Sequence, residues 1–115
     1  MTAGEMLPLL DVVRAARAEL HEDDADSAIR CAKLLRLAEE FAQDLPREVI
    51  ESADTLQAIT AVRTELGTCL IASDRMMDAG VAADLVASVL RRGTMLAERA
   101  LVSLVFGPEA VAAGF

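Results

Sequence analysis

The chain has 115 residues, 54% of them hydrophobic and 26% charged, with 19 acidic against 11 basic side chains and a formal net charge of -8. This length suits one domain around one core, and the apolar fraction is too high for an intrinsically disordered chain. No apolar run approaches the roughly 20 residues of a membrane-spanning helix. The negative charge repels phosphate backbones, so neither membrane insertion nor direct nucleic-acid binding is expected.

Residues 1–10 carry Glu5 and no basic side chain, so they lack the positive start of a secretory signal and a cytoplasmic location is expected. Alanine and leucine dominate, Trp and Tyr are absent, and β-branched residues are scattered without alternation, which predicts an all-α fold. The first helix is predicted over residues 7–20, with Met6, Leu9, Val13, Ala16 and Leu20 at heptad-like spacing and Pro8 in its first turn. Thr2 and Glu5 resemble a capping box ahead of it. The polar run of residues 21–26 ends this pattern, and Asp24, Asp26 or Ser27 can cap a second helix over 25–44. That helix turns Ala28, Cys31, Leu34, Leu35, Ala38, Phe41 and Leu45 to one side, and Arg30, Lys33, Arg36 and Glu40 to the other. Pro46 stops it and suits the opening turn of a third helix over 46–73. The apolar stripe there is Val49, Ala53, Leu56, Ile59, Val62, Leu66 and Leu70, with Gly67 a weak point. Asp74 and Asp78 mark the next turn, and a fourth helix spans 79–106 before Gly107 and Pro108 end it.

The architecture expected is a single domain, residues 1–115, folded as an antiparallel four-helix bundle with a short C-terminal tail over 107–115. A break at Gly93 would make five helices. On the fourth helix the polar side chains Asp84, Ser88, Arg91, Arg92, Glu98 and Arg99 share a limited arc. Leu85, Val89 and Leu96 flank one side of it, and Leu90, Ala97 and Leu101 the other. Such a helix is either central in its own bundle or packed on two partners, and the second reading predicts a homodimer with Leu85, Val89 and Leu96 at the interface.

Arg63 falls within the apolar stripe of the third helix. A hairpin around Pro46 places it opposite Ala28, near Asp24 and Asp26, and an Arg63–Asp26 ion pair is the structural expectation. Alternatively its stem covers the core while the guanidinium reaches water, or it binds an anion at the start of the second helix. Glu19 with Glu22, and Glu51 with Asp54, reproduce the acidic spacings with which all-α nucleotide pyrophosphatases hold magnesium. In an up-down-up bundle the two pairs lie roughly 25 to 30 Å apart, so they cannot share an ion, and a solvated acidic rim is the simpler account. One histidine, His21, is too few for a two-iron bundle. The carboxylates after it oppose a phosphotransfer role, and the Arg14 to His21 spacing is a permissive match to some all-α ribonucleases. His21 suits an exposed last turn of the first helix. Cys31 and Cys69 suit reduced core positions, about 13 Å apart by counting from a Pro46 turn, and no metal site or bond between them is expected.

Asp26-Ser27, Leu34, Glu39-Glu40-Phe41, Leu45-Pro46, Glu48, Glu51 and Thr55-Leu56 together resemble the middle of an acyl or peptidyl carrier protein over residues 26–59. The resemblance implies phosphopantetheine on Ser27. Asp24 stands where that family has glycine, and Ala28 where it has a hydrophobic residue after the serine.

The leading functional expectation is a small acidic interaction module, an adaptor or regulator that binds itself and a further protein partner, without catalysis or cofactor. The carrier reading and a magnesium-dependent nucleotide hydrolase built on the acidic residues are the alternatives. The carboxylates gather near turns and alternate with Arg and Lys, which is not the ordered face that a nucleic-acid mimic needs.

Overall fold

The computed structural model describes residues 3–22, 24–50 and 52–115, with the backbone alone for Ala3 and Val49. All regular structure among these residues is helical. Five α-helices follow the chain: α1 (Leu7–Ala18), α2 (Ala25–Asp44), α3 (Ala53–Asp78), α4 (Ala83–Phe106) and α5 (Pro108–Ala112). The fold is thus the expected all-α bundle. The fifth helix is α5, in the segment expected to be a tail, whereas α4 runs through Gly93 unbroken. The proposed Thr2–Glu5 capping box and the Val49 side chain lie outside what the structure describes.

Contacts between successive helices fix their directions. Glu19, in the 3-10 turn that extends α1, pairs with Arg30 near the start of α2 at 2.9 Å. Arg63 of α3 reaches the end of α2, Gly93 of α4 lies against Cys69 of α3, and Arg14 of α1 meets Glu98 of α4. Each helix runs against its predecessor, and α4 returns beside α1 to close the bundle. Between them lies a core that includes Leu10 and Val13, Cys31 and Leu35, Ile59, Val62 and Leu66, and Leu90 and Leu101. Each large aliphatic side chain withdrawn from water contributes about 1.5–3 kcal/mol. On α2 the buried residues Ala28, Cys31, Leu35, Ala38 and Ala42 follow a three-four repeat, with Ser27 and Ala32 buried beside it. Phe41 stands one residue outside that repeat, so it is 44% exposed rather than in the core.

Capping explains the helix limits. Asp24 is the N-cap of α2: its Oδ1 accepts the Ser27 N–H at 2.7 Å, and this bond holds the Asp24 carboxyl below its ordinary range. The third helix starts seven residues later than the Pro46 reading places it, because the backbone at Pro46 and Ile50 is extended around a 3-10 turn, Arg47–Val49. Ser52 then caps α3, accepting the Thr55 N–H at 3.0 Å. The helix also continues past Ser73 to Asp78, where Gly80, at φ 72°, permits a Schellman ending. There the Gly80 N–H donates to Met77 and the Val81 N–H to Met76.

The α3–α4 seam is the tightest in the molecule. A Cβ on Gly93 would lie 2.4 Å from Cys69 Sγ and 2.5 Å from Cys69 Cβ, so only glycine permits this approach. The buried hydroxyls nearby satisfy themselves within their own helices: Ser73 donates to Leu70 at 3.0 Å and Thr94 to Leu90 at 2.9 Å.

Candidate functional site

Large apolar side chains are exposed on α2 (Ile29, Leu37 and Phe41), α3 (Ile71) and α4 (Leu85). On α4 the buried stripe includes Val86, Leu90, Ala97 and Leu101. Leu85, Val89 and Leu96 form a second stripe, within about 40° of one another at 3.6 residues per turn. Leu85 is 54% exposed, and Val89 and Leu96 are half-buried. Towards the end of α4 the space between α3 and α4 opens into a groove of about 420 Å³, walled in part by Ala58, Ala61, Ala100 and Leu104. Short side chains on both helices form this groove, with Asp54, Gln57 and Ser103 adding polar wall.

The side of α4 that faces α1 is polar. Glu98, only 8% exposed, sits between Arg14 and Arg17 of α1. Its Oε1 accepts from Arg14 Nε at 3.3 Å. Arg17 Nη1 lies 2.8 Å from Oε2, close enough for ion pairing but not aligned for a hydrogen bond. Arg91, one heptad before Glu98, donates to the Leu20 carbonyl at 2.9 Å, where the first helix ends. The helical wheel places Glu98 with the solvent-facing polar residues; what it lacks is the partner helix, on which Arg14 and Arg17 stand three residues apart and so share a face.

Arg63 has a different role from the expected one. Its Nε donates to the Ala42 carbonyl at 2.6 Å and its Nη2 to the Leu45 carbonyl at 3.2 Å, so it satisfies the free carbonyls at the end of α2. Asp26 lies at the other end of that helix, about 24 Å away at 1.5 Å per residue, so the structure does not bring the predicted pair together. The cause is the late start of α3, which slides Arg63 along α2. The same slide removes the register from which the cysteine separation was counted. Cys31 and Cys69 are both buried free thiols. Burial pushes each thiol up to about 12, with a contribution at Cys31 from Cys69.

Ser27 is fully buried at the third position of α2, where its hydroxyl accepts from Arg30 at 3.2 Å. A phosphopantetheine-bearing serine must instead present its hydroxyl to the transferase. Glu19 is engaged by Arg30, and Glu51 lies outside the described residues. Among the described residues no three His, Cys, Asp or Glu side chains gather as metal ligands. His21 is exposed, donating from Nδ1 to the Ala18 carbonyl at 2.9 Å. No family model, curated protein or solved structure matches the chain.

Proposed function

We propose that the protein acts by binding, as an interaction module that pairs with a second copy of itself through the outer side of α4, and that it performs no catalysis of its own. The observation that carries this reading is the second apolar stripe of α4, Leu85, Val89 and Leu96, of which Leu85 is exposed and the other two stay half-buried, Val89 against the core. The accessible surface of one chain is 6364 Å², against about 6,100 Å² for a compact monomer of this mass. The core therefore closes without help, and a dimer would join two folded subunits. Covering these side chains would add at most about half of the roughly 1.5–3 kcal/mol of a full burial for each, before the cost of association.

Sedimentation equilibrium at micromolar concentration tests this. The expected result is twice the chain mass, reduced to the chain mass by Leu85→Glu or Leu96→Glu with the helical circular-dichroism signal unchanged. A wild-type protein that sediments as a monomer overturns the reading.

A further inference from the structure

A groove of about 630 Å³ runs between α1, α4 and the C-terminal segment, a volume in the range of small-ligand sites. Its charged side chains are Arg14 and Arg17 of α1 with Glu98 and Arg99 of α4, three guanidiniums against one carboxylate. The groove is therefore locally positive in a chain whose net charge is -8. That net charge repels a long polyanion, which must lie across much of the surface. At physiological salt, fields are screened beyond about 8 Å, so a small anion meets the local excess instead.

Glu98 holds two of the arginines in place. It is only 8% exposed, and its Oε1 accepts from Arg14 Nε at 3.3 Å, while Arg17 Nη1 stands 2.8 Å from Oε2 without a hydrogen bond. Arg17 is thus held by charge alone, and its N–H groups are uncommitted among the described residues. Arg99 is exposed and enters no ion pair or hydrogen bond among them. Arg14 is partly spent, on Glu98 and on the main-chain oxygen of Phe115. With one guanidinium neutralised by Glu98, the groove's side chains keep an excess of two positive charges and two free donor forks.

Met95 and Val102 of α4 and Val111 of α5 supply apolar wall. A ligand that fits these surfaces carries two negative charges at one end and an apolar body at the other. A phosphate monoester has this form: its phosphoryl group carries about -1.5 to -2 charge at pH 7 on three acceptor oxygens. Guanidinium forks match such oxygens in parallel pairs of hydrogen bonds. A lone carboxylate would leave one positive charge unmatched.

We propose that this groove binds a small phosphate monoester, with its phosphoryl oxygens on Arg17, Arg99 and the remaining N–H groups of Arg14, and its organic body against Met95, Val102 and Val111. The assignment does not rest on the outer stripe of α4 forming a dimer.

The probe is phenyl phosphate, titrated into the full chain at neutral pH while the arginine Nε–H resonances are followed. Inorganic phosphate and benzoate are the controls, one without the apolar body and the other without the second charge. Phenyl phosphate should bind saturably at millimolar concentration or below and shift the resonances of Arg14, Arg17 and Arg99. Inorganic phosphate and benzoate should each bind about tenfold more weakly. Arg99→Gln should weaken phenyl phosphate about threefold or more, with circular dichroism unchanged because that side chain is exposed. Met95→Ala should weaken phenyl phosphate and leave inorganic phosphate unchanged. Absence of saturation, or indifference to Arg99→Gln, overturns the site. Benzoate binding as tightly as phenyl phosphate overturns the phosphoryl assignment. Inorganic phosphate binding as tightly, or a phenyl phosphate affinity unmoved by Met95→Ala, overturns the organic ester.

Discussion

Along α4, the side facing α3 is closed by small and apolar side chains, whereas the side facing α1 is tied by charges. At the first, Gly93 admits Cys69 so closely that no other atom fits between the helices. At the second, a buried carboxylate sits between arginines that are themselves 36% and 48% exposed. The two seams do different work. Apolar burial scales with the area removed from water and dominates stability. An ion pair whose cations reach solvent is screened, and most of its Coulomb energy is offset by desolvation of the carboxylate. The α1 seam therefore determines how the first helix is oriented on the fourth more than how strongly the bundle is held.

The largest effect should come from removing apolar volume at the α3 side. Leu66 is fully buried, and Leu66→Ala should lower stability by about 2–5 kcal/mol in urea denaturation, the transfer loss plus the cavity left behind. A smaller but more specific loss is expected from Gly93→Ala. The added methyl forces Cys69 or a whole helix to move, at about 1–3 kcal/mol, while the gain in helix propensity returns about 1 kcal/mol. Thiol labelling gives a second reading of the same change. Cys31 and Cys69, pushed up to about 12 by burial, are unreactive thiols in the closed bundle, and Gly93→Ala should speed their modification at neutral pH by raising the population of opened states.

The charged seam should respond more weakly. Glu98→Leu removes a buried carboxylate, and Arg14 and Arg17 are left with a path to water rather than stranded in the core. The expected change is within about 1 kcal/mol. A loss as large as that for Leu66→Ala would show that the α1 seam carries the fold and would reverse the comparison.

How much of this was legible in the sequence depends on whether the signal is local. The limits of α2 follow from Asp24 as a cap and from Leu45-Pro46, where the ring of Pro46 disfavours helix at the residue before it. The start of α3 carried two competing signals. Pro46 followed by Glu48 resembles a first turn, but so does Ser52 with Asp54 two residues on, and the structure uses the second. What decides between them is not local: the carbonyls at the end of α2 need a donor, and only the later start brings Arg63 to Ala42 and Leu45. The same holds for the site. The Leu85, Val89 and Leu96 stripe is a periodicity within one helix and can be read from spacing alone. The Arg14, Arg17 and Glu98 cluster joins residues more than 80 positions apart, so it is not a pattern within any window of sequence.

Two glycines give the finest test of the seam. Gly67 and Gly93 both stand inside long helices, so propensity alone treats them alike and predicts that alanine stabilises at each by about 0.5–1 kcal/mol, through the backbone entropy that glycine loses on folding. Packing separates them. A Cβ on Gly67 meets nothing within 4 Å, while one on Gly93 overlaps Cys69. Gly67→Ala should therefore raise the melting temperature slightly where Gly93→Ala lowers it, and because the two substitutions are chemically identical the difference in sign isolates the α3–α4 contact. If both raise it, the helices can separate at Gly93 at little cost, and the tight seam no longer explains why α4 keeps a glycine at its centre.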